Sequence, residues 1–361
     1  MGDKTPHQIE KSIAKIDQKI VDLLNERAEL ALKVGRFKEA KSRNAFDPGK
    51  EAEMMSAILD QSQGPFPNDS LRGILTEVLS ACRGLRQPIK VAFLGPEATF
   101  SHLAVLQYFG SSCELRPHGS IIDVFQEVER DKAHFGMVPV ENSTEGAVNI
   151  TLDGLIESEL NICGEVFVQV SLVLMSQQKD LRKIERVISH PQPLSQCRGW
   201  LTRNLSGRAL IEASSTATAA QMVGKDEGGA AIGSELLAKT CGLEILAKNI
   251  QDSPQNLTRF FVLGKERPSR SGQDKTSILF VAEHKPGSLY RSLKPFADQG
   301  INLTRIESRP TKERLWEYVF FVDFQGHVLD EKVKRTLDKL GSRVEYLKVL
   351  GSYPMAKHPK S

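Results

Sequence analysis

The sequence predicts a multidomain protein in which an all-α unit precedes an α/β unit and a small α+β unit. Residues 1–87 carry apolar residues at helical spacing. Residues 88–265 alternate short apolar runs with helical stretches, which is typical of parallel sheets. Residues 276–353 follow a βαββαβ order, which is typical of a ferredoxin-like unit. A chain of 361 residues also exceeds the usual size of one domain.

The helical unit begins with a long amphipathic helix, predicted over Pro6–Lys41. The apolar residues that recur at spacings of three and four are Ile9, Ile13, Ile16, Ile20, Leu23, Leu24, Leu30, Ala31 and Val34. A helix this long cannot bury its stripe against itself, so it needs partner helices or another subunit. Shorter helices are predicted over Pro48–Gln61 and Asp69–Leu85, and Gln87-Pro88 closes the unit.

Strands of the α/β unit are predicted where apolar runs are short and bounded by turn residues. They are Val91–Leu94, Phe135–Val140, Val166–Met175, Val187–Ser189, Ala209–Ala213, Ala230–Ile232, Glu244–Ala247 and Arg259–Leu263. A polar segment, residues 265–275, is interpreted as a linker. The elements predicted after it are strand Ser277–Ala282, helix Ser288–Gln299, strand Asn302–Ser308, strand Glu317–Asp323, helix Asp330–Leu340 and strand Val344–Leu350.

Charge and cysteine usage exclude several classes of function. The net charge of +3 is small and spread along the chain, which gives no reason to expect a nucleic-acid or membrane partner. The five cysteines lie far apart without the pair spacing of a metal site, so we expect reduced thiols and no metal. The N-terminus lacks the apolar core of a signal peptide, and no stretch is apolar enough to span a bilayer. We therefore expect a cytoplasmic protein.

Two runs join an apolar strand to a polar cluster. Phe135–Val140 ends in Glu141-Asn142-Ser143, while Thr258-Arg259 precedes the apolar run that begins at Phe260. In open α/β sheets, ligands bind outside the carboxyl ends of strands, where loops present polar groups. The first run taken alone is equally compatible with an ordinary strand and a solvated turn. The second run favours a pocket.

These runs, together with Phe93–His102 and Ser189–Cys197, resemble the signatures of prephenate dehydratases. The segment before them resembles an AroQ-type chorismate mutase, and the segment after them a phenylalanine-binding ACT domain. The whole chain thus resembles the bifunctional chorismate mutase/prephenate dehydratases. The resemblance implies two α/β lobes facing each other across a cleft, as in a periplasmic binding protein. It also implies the substrates chorismate and prephenate, no cofactor, a homo-oligomer (dimer or tetramer) and feedback inhibition by L-phenylalanine.

Arg27 and Lys38 are the cations that the helical pattern places on the apolar face of the first helix. Burying them is costly unless an anion meets them, although their stems can also reach solvent or pair with Asp or Glu. The resemblance implies that they bind chorismate, a dianion that rearranges without covalent help. The chorismate-binding positions that it implies are Arg27, Lys38, Asp47, Lys50, Glu51, Cys82 and Arg86.

The helical unit departs from the mutase pattern at several of its positions. Glu10 stands where the family has an arginine from the partner subunit, and Lys50 replaces a second arginine. Arg86 stands where the family has a glutamine that bonds the ether oxygen. The alternative is therefore a dehydratase whose helical unit is a weak mutase or serves only dimerisation.

For the dehydratase, the resemblance implies that Thr258 hydrogen-bonds the hydroxyl that leaves, with Asn142, Ser189 and Gln196 lining the same cleft. Arg259 is either a clamp for a substrate carboxylate or an ion-pair partner that orients Thr258. Glu141 either shares a proton with the leaving group or caps backbone N–H groups. We expect His102 and His190 to be packing residues.

The resemblance places the phenylalanine site on two motifs, the start of a helix and the end of a strand. Free N–H groups at a helix start suit an amino-acid carboxylate. The positions are Gly287, Ser288, Leu289, Asn302, Leu303, Glu307, Ser308 and Arg309. A rival from another class is a regulator that binds an amino acid and catalyses nothing.

Overall fold

The computed structural model describes residues 5–39, 46–310 and 318–356, and describes no side chains for residues 36–39. The helical unit consists of α1 (Pro6–Glu39), α2 (Pro48–Gln61) and α3 (Asn68–Gly84), which confirms the three predicted helices. The described residues leave the apolar stripe of α1 exposed: Ile16 is 55% exposed and Leu23 is 63% exposed. The predicted role of Lys38 falls on a side chain outside the described residues.

The first α/β lobe is built on one mixed sheet. Its elements are β1 (Lys90–Leu94), α4 (Phe100–Phe109), β2 (Glu114–His118), α5 (Ile121–Glu129), β3 (Phe135–Asn142), β4 (Gly146–Ala147), α6 (Asn149–Glu157), β5 (Asn161–Gln169) and, much later in the chain, β11 (Leu257–Gly264). The strand order is β2-β1-β3-β11-β5, with β4 paired to β3. β11 therefore lies between β3 and β5 and runs antiparallel to both.

The second lobe has its own sheet, in the order β10-β6-β9-β7-β8. Its elements are β6 (Val173–Ser176), a short 3₁₀ turn (Leu181–Lys183), β7 (Arg186–Ser189), α7 (Pro191–Gln196), α8 (Arg198–Asn204), β8 (Ala209–Glu212), α9 (Thr216–Val223), β9 (Gly229–Gly233), α10 (Glu235–Cys241) and β10 (Glu244–Ala247). The chain enters this lobe after β5 and returns to the first lobe at β11. The two-lobed α/β architecture is therefore confirmed.

One strand prediction was wrong. Val166–Met175 is not a single strand, because β5 ends at Gln169 in the first sheet and β6 begins at Val173 in the second. The residues that cross between the lobes are still apolar: Val170 is 5% exposed and Leu172 is fully buried. The hydrophobic run therefore continues through the crossing. β2 was also not predicted.

The third unit has the predicted ferredoxin-like order. It comprises β12 (Asp274–Val281), α11 (Ser288–Asp298), β13 (Leu303–Pro310), β14 (Tyr318–Gln325), α12 (Glu331–Gly341) and β15 (Tyr346–Pro354), with sheet order β13-β14-β12-β15. One face of this sheet packs on α11 and α12 through residues such as Phe280 and Phe296. The other face packs on the first lobe, where Phe321 and Tyr353 join Phe261 in one core. The third unit and the first lobe thus share a buried interface.

No helix among the described residues is both long and apolar enough to cross a bilayer.

Candidate functional site

The predicted site centres on Thr258 at the start of β11 and Asn142 at the end of β3. These two residues are direct partners across the antiparallel ladder. The Asn142 Nδ2 atom donates to Thr258 Oγ1 at 2.8 Å and to Asn256 Oδ1 at 2.9 Å. Its Oδ1 atom accepts from the backbone N–H and the hydroxyl of Thr144. The amide is therefore fixed from both ends.

The Thr258 hydroxyl can still donate a hydrogen bond. It accepts a hydrogen bond from Asn142, and among the described residues the structure gives its own proton no acceptor. A hydroxyl both donates and accepts, so the Thr258 proton is available to a ligand. Thr258 is half-buried, at the edge of a buried core.

The second lobe reaches this site through α7. The Gln196 Nε2 atom donates to Glu145 Oε1 at 3.1 Å, and Glu145 belongs to the loop that follows Asn142. Ser189 lies at the carboxyl end of β7, just before α7, but its hydroxyl is fully buried and donates to Ile232 O at 2.8 Å. The structure thus brings Gln196 to the loop of the first lobe and uses Ser189 within its own lobe.

Arg259 resolves the alternative left open by the sequence in favour of the ion pair. Its guanidinium bonds Glu165 Oε2 at 2.8 Å and Asp323 Oδ2 at 2.6 Å, and its side chain is 6% exposed. Burial alone would lower the pKa of Arg259, but Asp323, Tyr353 and Glu165 raise it above its ordinary value. The guanidinium faces the third unit, whereas Thr258 faces Asn142. A role as a carboxylate clamp in the cleft is therefore contradicted.

The prediction that Glu141 shares a proton with the leaving group also needs correction. Neighbouring residues of a strand point to opposite faces, so Glu141 lies on the other face of β3 from Asn142. Its carboxylate is 3.0 Å from Arg305 Nε and 4.0 Å from Arg259 NH1. Glu141 therefore contacts the third unit and not the cleft.

Of the two motif histidines, His102 packs against a neighbouring ring as predicted, whereas His190 caps a helix. The His102 ring stacks on Phe93 at 5.5 Å, and its Nδ1 atom accepts from the Ala98 N–H at 2.9 Å. Burial lowers the pKa of His102. His190 caps α7 by accepting from Gln192 N–H at 3.4 Å.

In the helical unit, two predicted chorismate contacts touch each other: Arg27 NH1 lies 3.0 Å from Cys82 Sγ. Glu51 forms a 2.6 Å ion pair with Arg83, which also donates to the carbonyl oxygen of Phe109 in the first lobe. The side chain of Arg86 packs over Gly35, where an added Cβ would lie 2.4 Å from Arg86 Cδ. Lys50 is exposed.

Asp47 has a structural role that the sequence did not predict. Its carboxylate caps α2 by accepting from Gly49 N–H at 3.0 Å and from Lys50 N–H at 3.5 Å. It also accepts from the backbone N–H of Ser269 at 3.0 Å and from the Ser269 hydroxyl. Burial alone would raise the pKa of Asp47, but these hydrogen bonds lower it below its usual value. Asp47 thus ties α2 to the segment between the first lobe and the third unit.

The predicted phenylalanine motif at the start of α11 borders a cavity of about 390 Å³. Gly287 has φ +77°, in the left-handed region that glycine adopts readily, and precedes the first helical residue. The residues that line the cavity are Ala282, Glu283, His284, Lys285, Pro286, Ser288, Leu289, Tyr318 and Phe320. A cavity of this size beside a helix start, with both apolar and charged side chains in its walls, suits an amino acid.

The second phenylalanine motif, on β13, is divided between two faces. Ser308 is the ladder partner of Phe320, which lines the cavity. Arg309 instead donates to Asp153 of the first lobe at 2.7 Å, and Glu307 lies 3.6 Å from Arg305. The predicted ligand contacts of Glu307 and Arg309 are therefore corrected, because these side chains face the first lobe. At the start of β13, Leu303 packs into the core of the third unit, and the exposed Asn302 accepts from Gln325 N–H through its carbonyl oxygen.

Sequence reasoning missed three charged residues at the interface between the first lobe and the third unit: Glu165, Lys275 and Asp323. Lys275 Nζ lies 2.7 Å from Glu165 Oε1, and Glu165 has no exposed side-chain area. Each of the three lies inside a strand whose neighbours are buried. A charge within a buried strand was the available signal. No group of three or more His, Cys, Asp or Glu side chains is placed to hold a metal within the described residues.

Comparison with known proteins matches each unit to a family. Residues 9–87 match the family of type II chorismate mutases, 91–268 the prephenate dehydratases and 276–342 the ACT domains. A bifunctional chorismate mutase/prephenate dehydratase of Aquifex aeolicus is 46% identical over 97% of this chain and 98% of its own length. A prephenate dehydratase of Methanocaldococcus jannaschii is 39% identical over 73% of this chain and 98% of its own length.

A solved structure agrees with these sequence matches. The crystal structure of a prephenate dehydratase from Arthrobacter aurescens in complex with L-Phe has a TM-score of 0.69 and 35% identity, and the match covers 76% of this chain and 92% of that one. The similarity to the relatives thus extends from the helical unit through the two lobes to the ferredoxin-like unit. The chain belongs to the family of bifunctional chorismate mutase/prephenate dehydratases.

Proposed function

We propose that this chain rearranges chorismate to prephenate and then converts prephenate to phenylpyruvate, under feedback inhibition by L-phenylalanine. The observation that supports the dehydratase step is the pair of Thr258 and Asn142, in which the amide fixes the hydroxyl while no described residue accepts its proton. Family membership over nearly the whole chain supports both activities.

In the second reaction, the ring carboxylate of prephenate leaves as CO₂ and its bonding electrons enter the ring. The ring hydroxyl leaves from the other end of the diene, takes up a proton and departs as water. Aromatisation drives the reaction, so the protein has only to hold the substrate and polarise the departing oxygen. Thr258 does this by donating its hydroxyl proton to that oxygen. Gln196, held at Glu145, places the second lobe over the bound ring.

The mutase reaction needs a compressed conformer of chorismate and positive charge at the breaking ether bond. Arg27 lies on α1 beside Cys82 of α3 and supplies such a charge. We propose that a second copy of the chain covers the exposed stripe of α1 and completes this site. A homo-oligomer follows from that assignment.

L-Phenylalanine is proposed to bind in the cavity beside Gly287, Ser288 and Leu289. The solved relative was crystallised with L-Phe, which supports this class of effector. All five cysteines are free thiols, which suits the reducing cytoplasm.

The deciding experiment follows the full-length chain with chorismate as the only substrate, with and without L-phenylalanine. Chorismate loss, prephenate and phenylpyruvate are measured separately over time. We expect prephenate to appear first and phenylpyruvate next, with the second step suppressed by L-phenylalanine. No phenylpyruvate from added prephenate would refute the dehydratase. Phenylpyruvate from prephenate, but no enzymatic loss of chorismate, would leave a dehydratase with an inactive helical unit.

A further inference from the structure

The interface between the first lobe and the ACT unit buries four charged side chains, which we call the interface charge cluster: Glu165, Arg259, Lys275 and Asp323. Their side chains are between 0% and 6% exposed. Two are cations and two are carboxylates, so the cluster is formally balanced. Glu165 and Arg259 come from the catalytic lobe, whereas Lys275 and Asp323 come from the ACT sheet.

Arg259 joins the two halves of the cluster. It bonds Glu165 of its own lobe at 2.8 Å and Asp323 of the ACT unit at 2.6 Å. Asp323 is held in turn by the Ser277 hydroxyl at 2.5 Å, and Ser277 contacts the Tyr353 hydroxyl at 2.6 Å. Burial alone would raise the pKa of Asp323, but Arg259 lowers it, so Asp323 stays an anion. Buried charges this well bonded resist displacement, because losing one partner leaves the other uncompensated.

Arg259 is the residue directly after Thr258 on β11. The ladder between β11 and β3 is irregular between Arg259 and Phe260, where Arg259 pairs with Glu141 and Phe260 pairs with Pro139. Such a bulge locally disrupts the regular ladder and re-aims nearby side chains. The extra residue is Val140 of β3, on the strand that carries Asn142. Thr258 and Arg259 are consecutive residues of β11 and share one stretch of backbone, which the anchored Arg259 side chain holds in place. That anchor lies partly in the ACT unit.

The other end of β14 borders the phenylalanine cavity. Phe320 lines the cavity, and Asp323 lies three residues further along the same strand, about 10 Å away at the rise of a β-strand. A ligand that shifts Phe320 can move Asp323 through a continuous, buried strand.

We propose that Asp323 of the ACT unit is a positioning residue for the dehydratase, acting on Thr258 through Arg259, and that the effector lowers turnover by moving this ion pair. The proposal rests on the dehydratase function proposed above and adds the residue contact through which regulation occurs. The catalytic site is thereby incomplete without the regulatory unit.

The test replaces Asp323→Asn in the full-length chain, with Asp338→Asn as a matched control on the exposed face of the same unit. We expect Asp323→Asn to lower dehydratase kcat at least about tenfold and to leave KM within about threefold, because the residue touches no substrate. A parent-like mutase rate in the same variant would show that the chain is folded. Calorimetry should show L-phenylalanine binding within about threefold of the parent, while inhibition of the residual dehydratase activity is lost.

Ser277→Ala is the second variant, because it loosens Asp323 without removing its charge. It should lower kcat in the same direction by a smaller factor and weaken inhibition without weakening L-phenylalanine binding. If Asp323→Asn fails to fold, Ser277→Ala decides the question alone. Parent-like kcat and inhibition in a folded variant would overturn the proposal, as would a loss confined to KM or to L-phenylalanine affinity. A parent chain that makes no phenylpyruvate would instead refute the proposed function.

Discussion

The dehydratase and mutase regions of this chain differ in how much of a site one copy provides. In the dehydratase, Thr258 and Asn142 meet at 2.8 Å, and the neighbouring cation Arg259 is paired on two sides. In the helical unit, Arg27 contacts Cys82, while the apolar residues along α1 remain about half exposed, such as Ile16 at 55%.

The difference follows from the secondary structure of the two regions. Adjacent strands place residues that are distant in the sequence side by side within one sheet, so β3 and β11 bring Asn142 and Thr258 together within one copy. A single long helix cannot cover its own apolar stripe, so another element or another copy of the chain must do so. If a second copy covers the α1 stripe, as proposed above, the mutase depends on assembly, whereas the pair of Thr258 and Asn142 lies within one copy.

The largest expected effect is confined to the dehydratase. Thr258→Ala removes the only proton donor that we assign to the leaving hydroxyl, and losing one such donor costs about 10²–10³-fold in kcat. Steady-state rates with prephenate measure the loss, and the mutase rate of the same protein should stay unchanged. Thr258→Ser retains a hydroxyl and should keep most of the activity. A near-normal dehydratase rate in Thr258→Ala would contradict the assignment.

The interface charge cluster should make the dehydratase and ACT units unfold together. Glu165→Gln leaves Arg259 and Lys275 with only Asp323 as a carboxylate partner among the four, which should cost about 3–5 kcal/mol of unfolding free energy. Urea denaturation followed by circular dichroism measures the change. Glu159→Gln is the control, because the Glu159 side chain is 95% exposed and should contribute little. Equal stability of the two variants would show that the cluster does not stabilise the interface.

The α1 stripe can be tested by placing a charge on it. Ile16→Glu would have to bury a carboxylate in the proposed contact between copies, so we expect dissociation and a loss of mutase activity of at least about tenfold. The dehydratase rate should change by less than about twofold. Light scattering gives the oligomeric state, and Lys15→Glu controls for added negative charge off the stripe. An intact oligomer with full mutase activity would exclude this contact.

The smallest effect concerns pH. Burial lowers the pKa of His102, His134 and His327, all of which lie in the dehydratase and ACT units. A histidine whose pKa is lowered in the folded state takes up fewer protons than the unfolded chain at mildly acidic pH. The contribution of these neutral histidines to the free energy of unfolding is therefore fully present above about pH 6.5. It falls as the pH drops toward their folded-state pKa values.

Differential scanning calorimetry between pH 5 and 7 should show a lower Tm at the acid end for these units. His102→Asn keeps an acceptor near the Ala98 N–H but does not titrate, so it should flatten the profile. A Tm that does not change with pH in the parent would contradict the expectation.

The sequence predicted Asn142 and Thr258 as parts of one site, because each lies where an apolar strand meets a polar cluster, and in the structure the two side chains contact each other. Side chains alternate between the two faces of a strand, which would have placed Glu141 on the opposite face from Asn142. The prediction for Glu141 did not use this alternation, and Glu141 in fact contacts Arg305. The crossing between the lobes was hidden because Val170 and Leu172 are as apolar as the strands they join.

The sequence could indicate that members of the interface charge cluster have charged partners, but it could not show which residues pair. Asp323 lies between Val322 and Phe324, and a carboxylate in such a buried run signals a partner. Its partner Arg259 is 64 residues away in another domain. No local pattern encodes the packing of one sheet face against another, so the pairing required the structure.

The contact between Gly49 and Ser269 limits how this chain can be re-engineered. A Cβ on Gly49 would lie 1.7 Å from the carbonyl oxygen of Ser269, so the connector backbone occupies the space of a side chain on α2. Chimeras that exchange the effector-sensing module must therefore keep the path of this connector, or the foreign segment will collide with the helix. A chimera that folds correctly would take α2 and the segment around Ser269 from the same parent protein.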